Sequence, residues 1–324
     1  MRSERRGALL LLAPYVLGLV GLIVVPAIIT LGLSLFDYDL IRPPRFRGMG
    51  NFRELWNDQV FLISVLNSLR FILFAVPLRL LSALGLALLL HRQYRGVGAY
   101  RTATYLPTVV PDVAYALLWL WLLNPLYGPL NLALGAVSAP TPRWMTDPRA
   151  AQAAIVLMSV FQIGEGFIVA LAARQAIPVE LYDLAEVEGA RWFHVFRRIT
   201  LPLMAPVLLL LLARDTIFSL QANFVPALLV TEGGPPPSAT TYLPLFVYRT
   251  GFEYLRYGYA AAATLVIFAA TALMVYFQYL VVQIYRSPPR LTRGWLGPDD
   301  AVAVGGDDPG RIVARGDSDG RGGT

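Results

Sequence analysis

Arg214 and Asp215 interrupt the leucine-rich run LPLMAPVLLLLLARDTIFSLQANF, and Asp215, Ser219 and Asn223 then recur at intervals of four residues, with Thr216 beside them. On a helix this spacing makes one polar stripe, with Gln221 nearer the face of Arg214. Hydroxyl and amide groups exchange hydrogen bonds with a hydroxyl-rich solute, and a guanidinium can fork onto vicinal oxygens or a phosphate. A second charge in apolar surroundings is Glu165, set between Gly164 and Gly166 in FQIGEGF. A carboxylate there is costly unless it faces protein or water. The stripe and Glu165 are therefore candidates for lining a solute path. Each also has an inert reading: an internal ion pair or interhelical hydrogen bond for the stripe, and a helix contact permitted by the two glycines for Glu165. The residues alone leave both open.

Other chemistry is excluded or unsupported. The chain has no cysteine, so thiolate catalysis, disulfides and cysteine metal sites are absent. None of its 27 basic residues is lysine, and a Walker A loop needs one on the nucleotide phosphates. The chain is therefore not itself an ATPase. His91 and His194 sit in basic flanks with no second ligand nearby, and Gly96 and Gly98 form a lone GxG with no strand before it. No nucleophile, base and orienting group can be assembled, so the sequence predicts no enzyme, no metal and no cofactor. Arg70 and Arg79 are nine residues apart and point to opposite sides of a helix, and at least one is expected to snorkel. A net charge of +6 would suggest nucleic acid in a soluble protein. Here it is explained by membrane topology, and nucleic acid is not an expected partner.

The polar insert at residues 177–202, IPVELYDLAEVEGARWFHVFRRITLP, separates two long apolar segments. Pro178 suits the first position of a helix, and Glu180 and Asp183 complement the positive end of its dipole. Gly189 ends that helix, and a second is predicted from Ala190 to about Ile199 before Leu201 and Pro202 bend the chain into the next run. Leu181, Leu184, Ala185 and Glu188 share one face, giving an apolar strip to bury outside the membrane. An interfacial helix lying on headgroups is the rival reading. Four acids between Glu180 and Glu188 argue against it on an anionic leaflet.

This insert resembles the EAA loop of binding-protein-dependent ABC importer permeases, in the carbohydrate-uptake branch related to the maltose and glycerol-phosphate permeases. The pattern lies on Ile177, Pro178, Glu180, Leu181, Tyr182, Asp183, Leu184, Ala185, Gly189, Ala190, Ile199, Leu201 and Pro202. Asp183 stands where the family has Glu and Leu184 where it has Ala. A second stretch resembles the outer loop of the same branch, through Thr231, Gly233, Gly234, Pro235, Ala239, Thr240, Tyr248, Phe252 and GYAAA at 258–262. Glu232 replaces the first glycine of that pattern. Asn51-Phe52, Asn67-Ser68 and Val76-Pro77-Leu78 extend the likeness into the first half. The resemblance implies an ATPase-docking role for Glu180, Leu181, Tyr182, Asp183, Leu184, Ala185, Gly189, Ala190, Leu201 and Pro202. It also implies a separate ATP-binding cassette ATPase, a second and homologous permease subunit, and an extracytoplasmic solute-binding protein. The implied cargo is a sugar, polyol or glycerol phosphate. A polyamine or amino-acid permease of the same fold is the first rival, and an ATP-independent secondary transporter the second.

The elements that must position these residues follow from hydropathy. Of 324 residues 56% are hydrophobic and 15% charged, against about 25% charged in soluble domains. Apolar runs near 20 residues predict an all-α polytopic protein with six transmembrane helices in the permease fold. A basic cap at 1–7 precedes the first span at 8–36, which is too long for a signal-peptide core and lacks a cleavage site. Residues 37–60 read as a loop, and a five-helix core follows at 61–286. Within it spans are predicted at 61–90, interrupted by Pro77, then 106–123, 151–173, 203–223 and 258–285, with 124–149 a loop. Residues 287–324, rich in proline, glycine and aspartate, read as a disordered tail.

Arginine distribution orients the chain. Thirteen arginines flank the side holding residues 177–202, in the N-terminal cap, the loop after span two, the insert and the start of the tail. Eight lie in the opposite loops: Arg42, Arg45, Arg47, Arg53, Arg143, Arg149, Arg249 and Arg256. The positive-inside rule then predicts a bacterial or archaeal plasma-membrane protein with the insert and both termini in the cytoplasm.

Overall fold

The computed structural model describes residues 2–221, 223–235 and 238–286. The predicted tail at 287–324 lies outside the described residues. Helix α1 (Arg2–Leu19) passes through a π-helical turn (Val20–Val24) into α2 (Val25–Leu33). A two-residue antiparallel ladder then pairs Phe36 with Phe46 and Asp37 with Arg45. Next come α3 (Gly50–Asn57), α4 (Gln59–Leu90), α5 (Val97–Val109), α6 (Asp112–Leu122) and α7 (Pro129–Ala136). The remaining helices are α8 (Pro148–Phe161), α9 (Gly164–Gln175), α10 (Glu180–Val187), α11 (Trp192–Val195), α12 (Leu201–Ser219), α13 (Phe224–Leu229), α14 (Leu243–Tyr248) and α15 (Tyr257–Arg286).

Among the described residues four helical runs are long and apolar enough to cross a membrane, and the number rises to six when each of two bent pairs is counted as one span. Counted that way the number agrees with the six predicted spans, with several corrections in their shape. The third is not continuous: α5 and α6 meet at 102°. Pro111 causes this, because it lacks an amide and drives the preceding Val110 into extended backbone at ψ 130°. The fourth is broken between α8 and α9, which differ in direction by 47°. Conversely, Pro77 does not interrupt α4, which runs unbroken for 32 residues, about 48 Å. The presumed loops at 37–60 and 124–149 contain α3 and α7. Residues 201–202 do not bend the chain either. A π turn at Phe196–Thr200 leads into α12 without a break, and Pro202 falls in the first turn of α12. The second insert helix is shorter than expected, four residues before that π turn. Helix α12 ends at Ser219, so Asn223 lies in the turn leading to α13.

Helix α4 is the mast of the fold. Phe71 and Ala75 join one buried cluster with Tyr115, Trp119, Met158 and Tyr242. Ala83, Leu84, Ala87 and Leu90 join a second with Phe167, Leu171, Met204 and Leu211. Phe61, Ile72 and Val76 join a third with Leu55, Phe246 and Tyr259. Hydrocarbon gives helices no hydrophobic drive to associate, so close packing must hold them together. Ala75, Ala83 and Ala87 share one face of α4, each 3% exposed or less, and let α8 and α9 approach closely. Arg79 occupies the missing step of that alanine stripe. It therefore lies between the first two clusters.

Polar anchors fix the ends. Asp58 caps α4 by accepting from the amides of Val60 and Phe61, and its other oxygen accepts from the Tyr259 hydroxyl at 2.8 Å. Asp147 caps α8 in the same way. The Asn51 amide donates to the carbonyls of Ser34 and Phe36, tying the end of α2 to α3. The Asn67 amide donates to Ser238 and Thr241, and the Ser68 hydroxyl accepts from the amide of Leu243. The loop at 231–241 turns through left-handed backbone at Glu232 (φ 50°), Gly233 (φ 84°) and Gly234 (φ 83°). Glu232 thus adopts a conformation that favours glycine, held by an Arg249 hydrogen bond to its carbonyl.

Candidate functional site

A charged layer crosses the bundle between the first two apolar clusters. Arg79 of α4 and Asp215 of α12 approach to 3.6 Å, with side chains only 5% and 6% exposed. Arg214 also reaches Asp215, at 3.3 Å, and its far nitrogen pairs with Glu165 in the first turn of α9. The guanidinium groups of Arg79 and Arg214 flank the Phe218 ring at 5.2 and 5.9 Å. The order is Arg79, Asp215, Arg214, Glu165, running from the sealed interior toward open space. The last pair is partly exposed, Arg214 at 33% and Glu165 at 53%.

Glu165 is there because the chain breaks beside it. Gly164 packs so tightly on α5 that an added Cβ would meet the Thr108 hydroxyl and the Tyr105 backbone. The Gly164 amide also donates to that hydroxyl at 3.1 Å. The break places the Glu165 carboxylate opposite α12. The predicted stripe keeps its members together: Asp215, Ser219 and Asn223 are all buried. Asp215 is committed to the two arginines, whereas Ser219 and both polar atoms of the Asn223 side chain find no protein partner among the described residues. They border a cavity of about 20 Å³, shared with Arg79, Ser159, Gln162 and Phe218. That is room for about one water or hydroxyl group. Thr216 faces elsewhere, accepting from Gln278 of α15 at 2.7 Å.

The 177–202 insert forms its own site at the end of α9. Gly189 takes φ 71°, and the amides of Gly189 and Ala190 close onto the carbonyls of Glu186 and Ala185, a Schellman ending. Ala185 is buried, but Leu181 is 39% and Leu184 59% exposed. The apolar strip is therefore split between the fold and open space. Tyr182 ties α10 down, its hydroxyl 3.0 Å from that of Thr200 and its ring 4.2 Å below the Arg174 guanidinium. Glu180 and Asp183 lie exposed in the first turn, Leu201 and Pro202 open α12, and Glu188 is the cap rather than part of the apolar face.

Residues 82–287, which hold both the charged layer's acids and the insert, match the family described as binding-protein-dependent transport system inner membrane component. The chain belongs to that family. It is 30% identical over 85% of its length to a probable ABC transporter permease protein, YesP, of Bacillus subtilis strain 168, covering 89% of that relative. It is 31% identical over 82% of its length to the sulfoquinovosyl glycerol transport system permease protein SmoG of Agrobacterium fabrum, covering 87% of it. Among solved structures, a chain of a bacterial alginate ABC transporter in complex with an alginate pentasaccharide-bound periplasmic protein superposes with a TM-score of 0.76 at 24% identity, over 88% of this chain and 98% of that one. This permease is therefore a multi-pass membrane component of an ABC transporter, and a transport component rather than a catalyst.

Several site residues of the permease are not visible as such in the sequence. Arg79 is the partner of Asp215, and its snorkelling alternative falls to the exposed Arg70. Ser159 and Gln162 border the cavity only because α8 ends there. Thr200 and Arg174 hold Tyr182 from two other helices. Pairing across helices leaves no periodic trace in one chain. A lone arginine at an alanine step of an otherwise small-residue stripe is the one signal that could have singled out Arg79.

Proposed function

We propose that this permease forms half of a translocation pathway for a sugar, polyol or glycerol phosphate, with a homologous permease as the other half. Cargo arrives from an extracytoplasmic solute-binding protein. The single observation carrying this reading is the border of the small cavity: unpartnered Ser219 and Asn223 beside Arg79, at the sealed end of the series that runs through Asp215 and Arg214 to the exposed Glu165. Unpaired buried hydroxyl and amide groups gain most from a ligand that brings its own hydroxyls. Arg214 and Glu165, partly exposed, would meet cargo first. The glycoside named for the Agrobacterium relative supports the same substrate class.

The insert is proposed as the dock for a separate ATP-binding cassette ATPase, through Glu180, Leu181, Tyr182, Asp183, Leu184 and Ala185, with Gly189 and Ala190 fixing the elbow and Leu201 and Pro202 leading into α12. The exposed Leu181 and Leu184 offer apolar surface to that partner. Tyr182, held to Thr200 and Arg174, would carry its movement into α12 and α9 as rigid bodies. Because α12 and α9 also hold Asp215, Arg214 and Glu165, the dock and the charged layer are joined by continuous helix. The arginine distribution supports placing the insert and both termini in the cytoplasm.

The test is ATP-driven uptake by the reconstituted transporter. Ser219→Ala and Asn223→Ala should lower uptake with little loss of assembly, and Leu184→Arg should abolish it while the isolated ATPase stays active. Unchanged uptake in the first two would sink the lining role, and unchanged uptake in the third the docking role.

A further inference from the structure

A second feature lies apart from the charged layer. A cleft of about 520 Å³ opens between the first half of α4 and α8. Its body is apolar, lined by Phe71, Phe74, Leu78, Val156, Leu157 and Val160. One end is cationic: Arg70 and Arg149 both line it, both are exposed, and neither has a carboxylate partner among the described residues. Between them Asn67 and Gln152 are already satisfied, the Gln152 amide donating to Asn67 and to the carbonyl of Ala239. The two arginines are thus the free charges of that end.

Their depth has a physical meaning. Arg70 stands twenty residues before Leu90, the last residue of α4, which His91 and Arg92 follow. At 1.5 Å per residue that is about 30 Å, the thickness of a bilayer's hydrocarbon core. With Leu90 at one boundary, Arg70 lies at the other. Arg149, in the first turn of α8 beside its Asp147 cap, lies on the outer side of the Gln152–Asn67 contact, with Arg70 on the inner side. Arg70, Phe74 and Leu78 are spaced by four residues, so the cleft descends from headgroup level along one face of α4 into the acyl region.

We propose that this cleft is a binding site for one anionic phospholipid, its phosphate held by Arg70 and Arg149 and an acyl chain lying against Phe74, Leu78, Leu157 and Val160. Charge complementarity selects the occupant. A neutral solute leaves two guanidinium groups unused, and a hydrophilic anion leaves the apolar body unfilled. Only an amphiphile with an acidic head matches both parts. The inference rests on membership of a membrane-spanning family and is independent of the cargo assigned to the charged layer.

The test extracts the full chain, in the assembly it forms in its own membrane, into polymer-bounded native discs, and quantifies retained lipids by mass spectrometry. The native protein should retain phosphatidylglycerol or another anionic phospholipid above its share of the bulk membrane. Arg70→Gln and Arg149→Gln should each reduce that enrichment about fivefold. Leu157→Trp, which fills the body and spares the arginines, should reduce it as well. Enrichment that stays at the native level in any of the three variants overturns the proposal. So does a photoreactive residue at position 78 that captures another protein chain instead of lipid, or a change in cargo KM in the arginine variants with lipid retention unaltered.

Discussion

The Asp215 carboxylate lies between two arginines of different helices, 3.6 Å from Arg79 and 3.3 Å from Arg214, and only the first of these is sealed from solvent. The two contacts therefore differ in weight. A buried ion left without its partner costs far more than a pair at an open edge. Arg79 has no other carboxylate among the described residues, whereas Asp215 keeps Arg214 when Arg79 is removed.

Asp215→Leu should therefore destabilise the solubilised protein by about 3 kcal/mol, because it strands Arg79 inside the bundle. Arg79→Met should cost clearly less, and the double variant should recover most of the Asp215→Leu loss. Melting temperatures in detergent test this ordering. Equal losses for the two single variants would show that Arg214 does not share the aspartate.

The outer pair behaves otherwise. Glu165→Gln should change the melting temperature little, since exposed ion pairs contribute about 0–1 kcal/mol. Uptake should change about tenfold if Arg214 holds cargo, the usual scale of a hydrogen bond to a charged group. Arg214→Lys should fail to restore native uptake, because an ammonium cannot fork onto two oxygens. A native KM in Arg214→Lys would remove Arg214 from the cargo path.

At the dock, Tyr182→Phe loses the bond to Thr200 but keeps the ring beneath Arg174. Coupling of ATP hydrolysis to uptake should weaken modestly, by roughly the 1 kcal/mol of one hydrogen bond. Tyr182→Ala loses both and should uncouple. Gly189→Ala meets no atom within 4 Å, so its cost comes from the left-handed backbone alone, about 1–2 kcal/mol. Gly189→Asn should be milder than Gly189→Ala. Solute-stimulated ATP hydrolysis measures all four.

Glu54 of α3 pairs with Arg256 at 2.6 Å and Arg47 at 2.8 Å, a clamp between α3 and the start of α15 that should respond to acid. Burial alone would raise the Glu54 carboxyl, but hydrogen bonds from Arg256 and Arg47 outweigh it and hold the group below its ordinary value of 4.5. A carboxylate lowered in the folded state contributes stability that is fully present above its unfolded value and lost as pH falls through the folded one. Stability should thus be level near neutrality and decline below about pH 4.5, with a smaller decline in Glu54→Gln. An identical acid profile for both proteins would contradict the assignment.

Gly258 belongs to the same clamp. A Cβ there would collide with the Phe36 carbonyl, which already accepts from Asn51. Gly258→Ala should lower the melting temperature and loosen residues 34–46, seen as faster amide exchange. Gly98→Ala, in open space, serves as the control.

Much of this protein is written in single-residue chemistry that needs no partner. Runs of apolar residues set the spans, because an unpaired backbone in hydrocarbon leaves only helices. Glu180 and Asp183 fall in the first turn of the insert helix and Gly189 closes it, as local backbone rules require, whereas Pro178 stands two residues before its first position instead of occupying it. Asp215, Ser219 and Asn223 were recognisable as one polar group from spacing alone. Their division into a committed acid and unpartnered hydroxyl and amide groups was not, because it depends on Arg79 arriving from a helix 136 residues away in the chain. Likewise Pro77 and Pro111 look alike in sequence, yet α4 absorbs the first and the chain turns at the second. Neighbouring helices hold α4 straight on several sides, whereas Val110 takes extended backbone before Pro111 and packs against the first cluster in that form. Local rules fix where helices begin and what they are made of. Tertiary packing alone decides which charges meet, since pairing energy falls steeply with a distance that one-dimensional spacing does not contain.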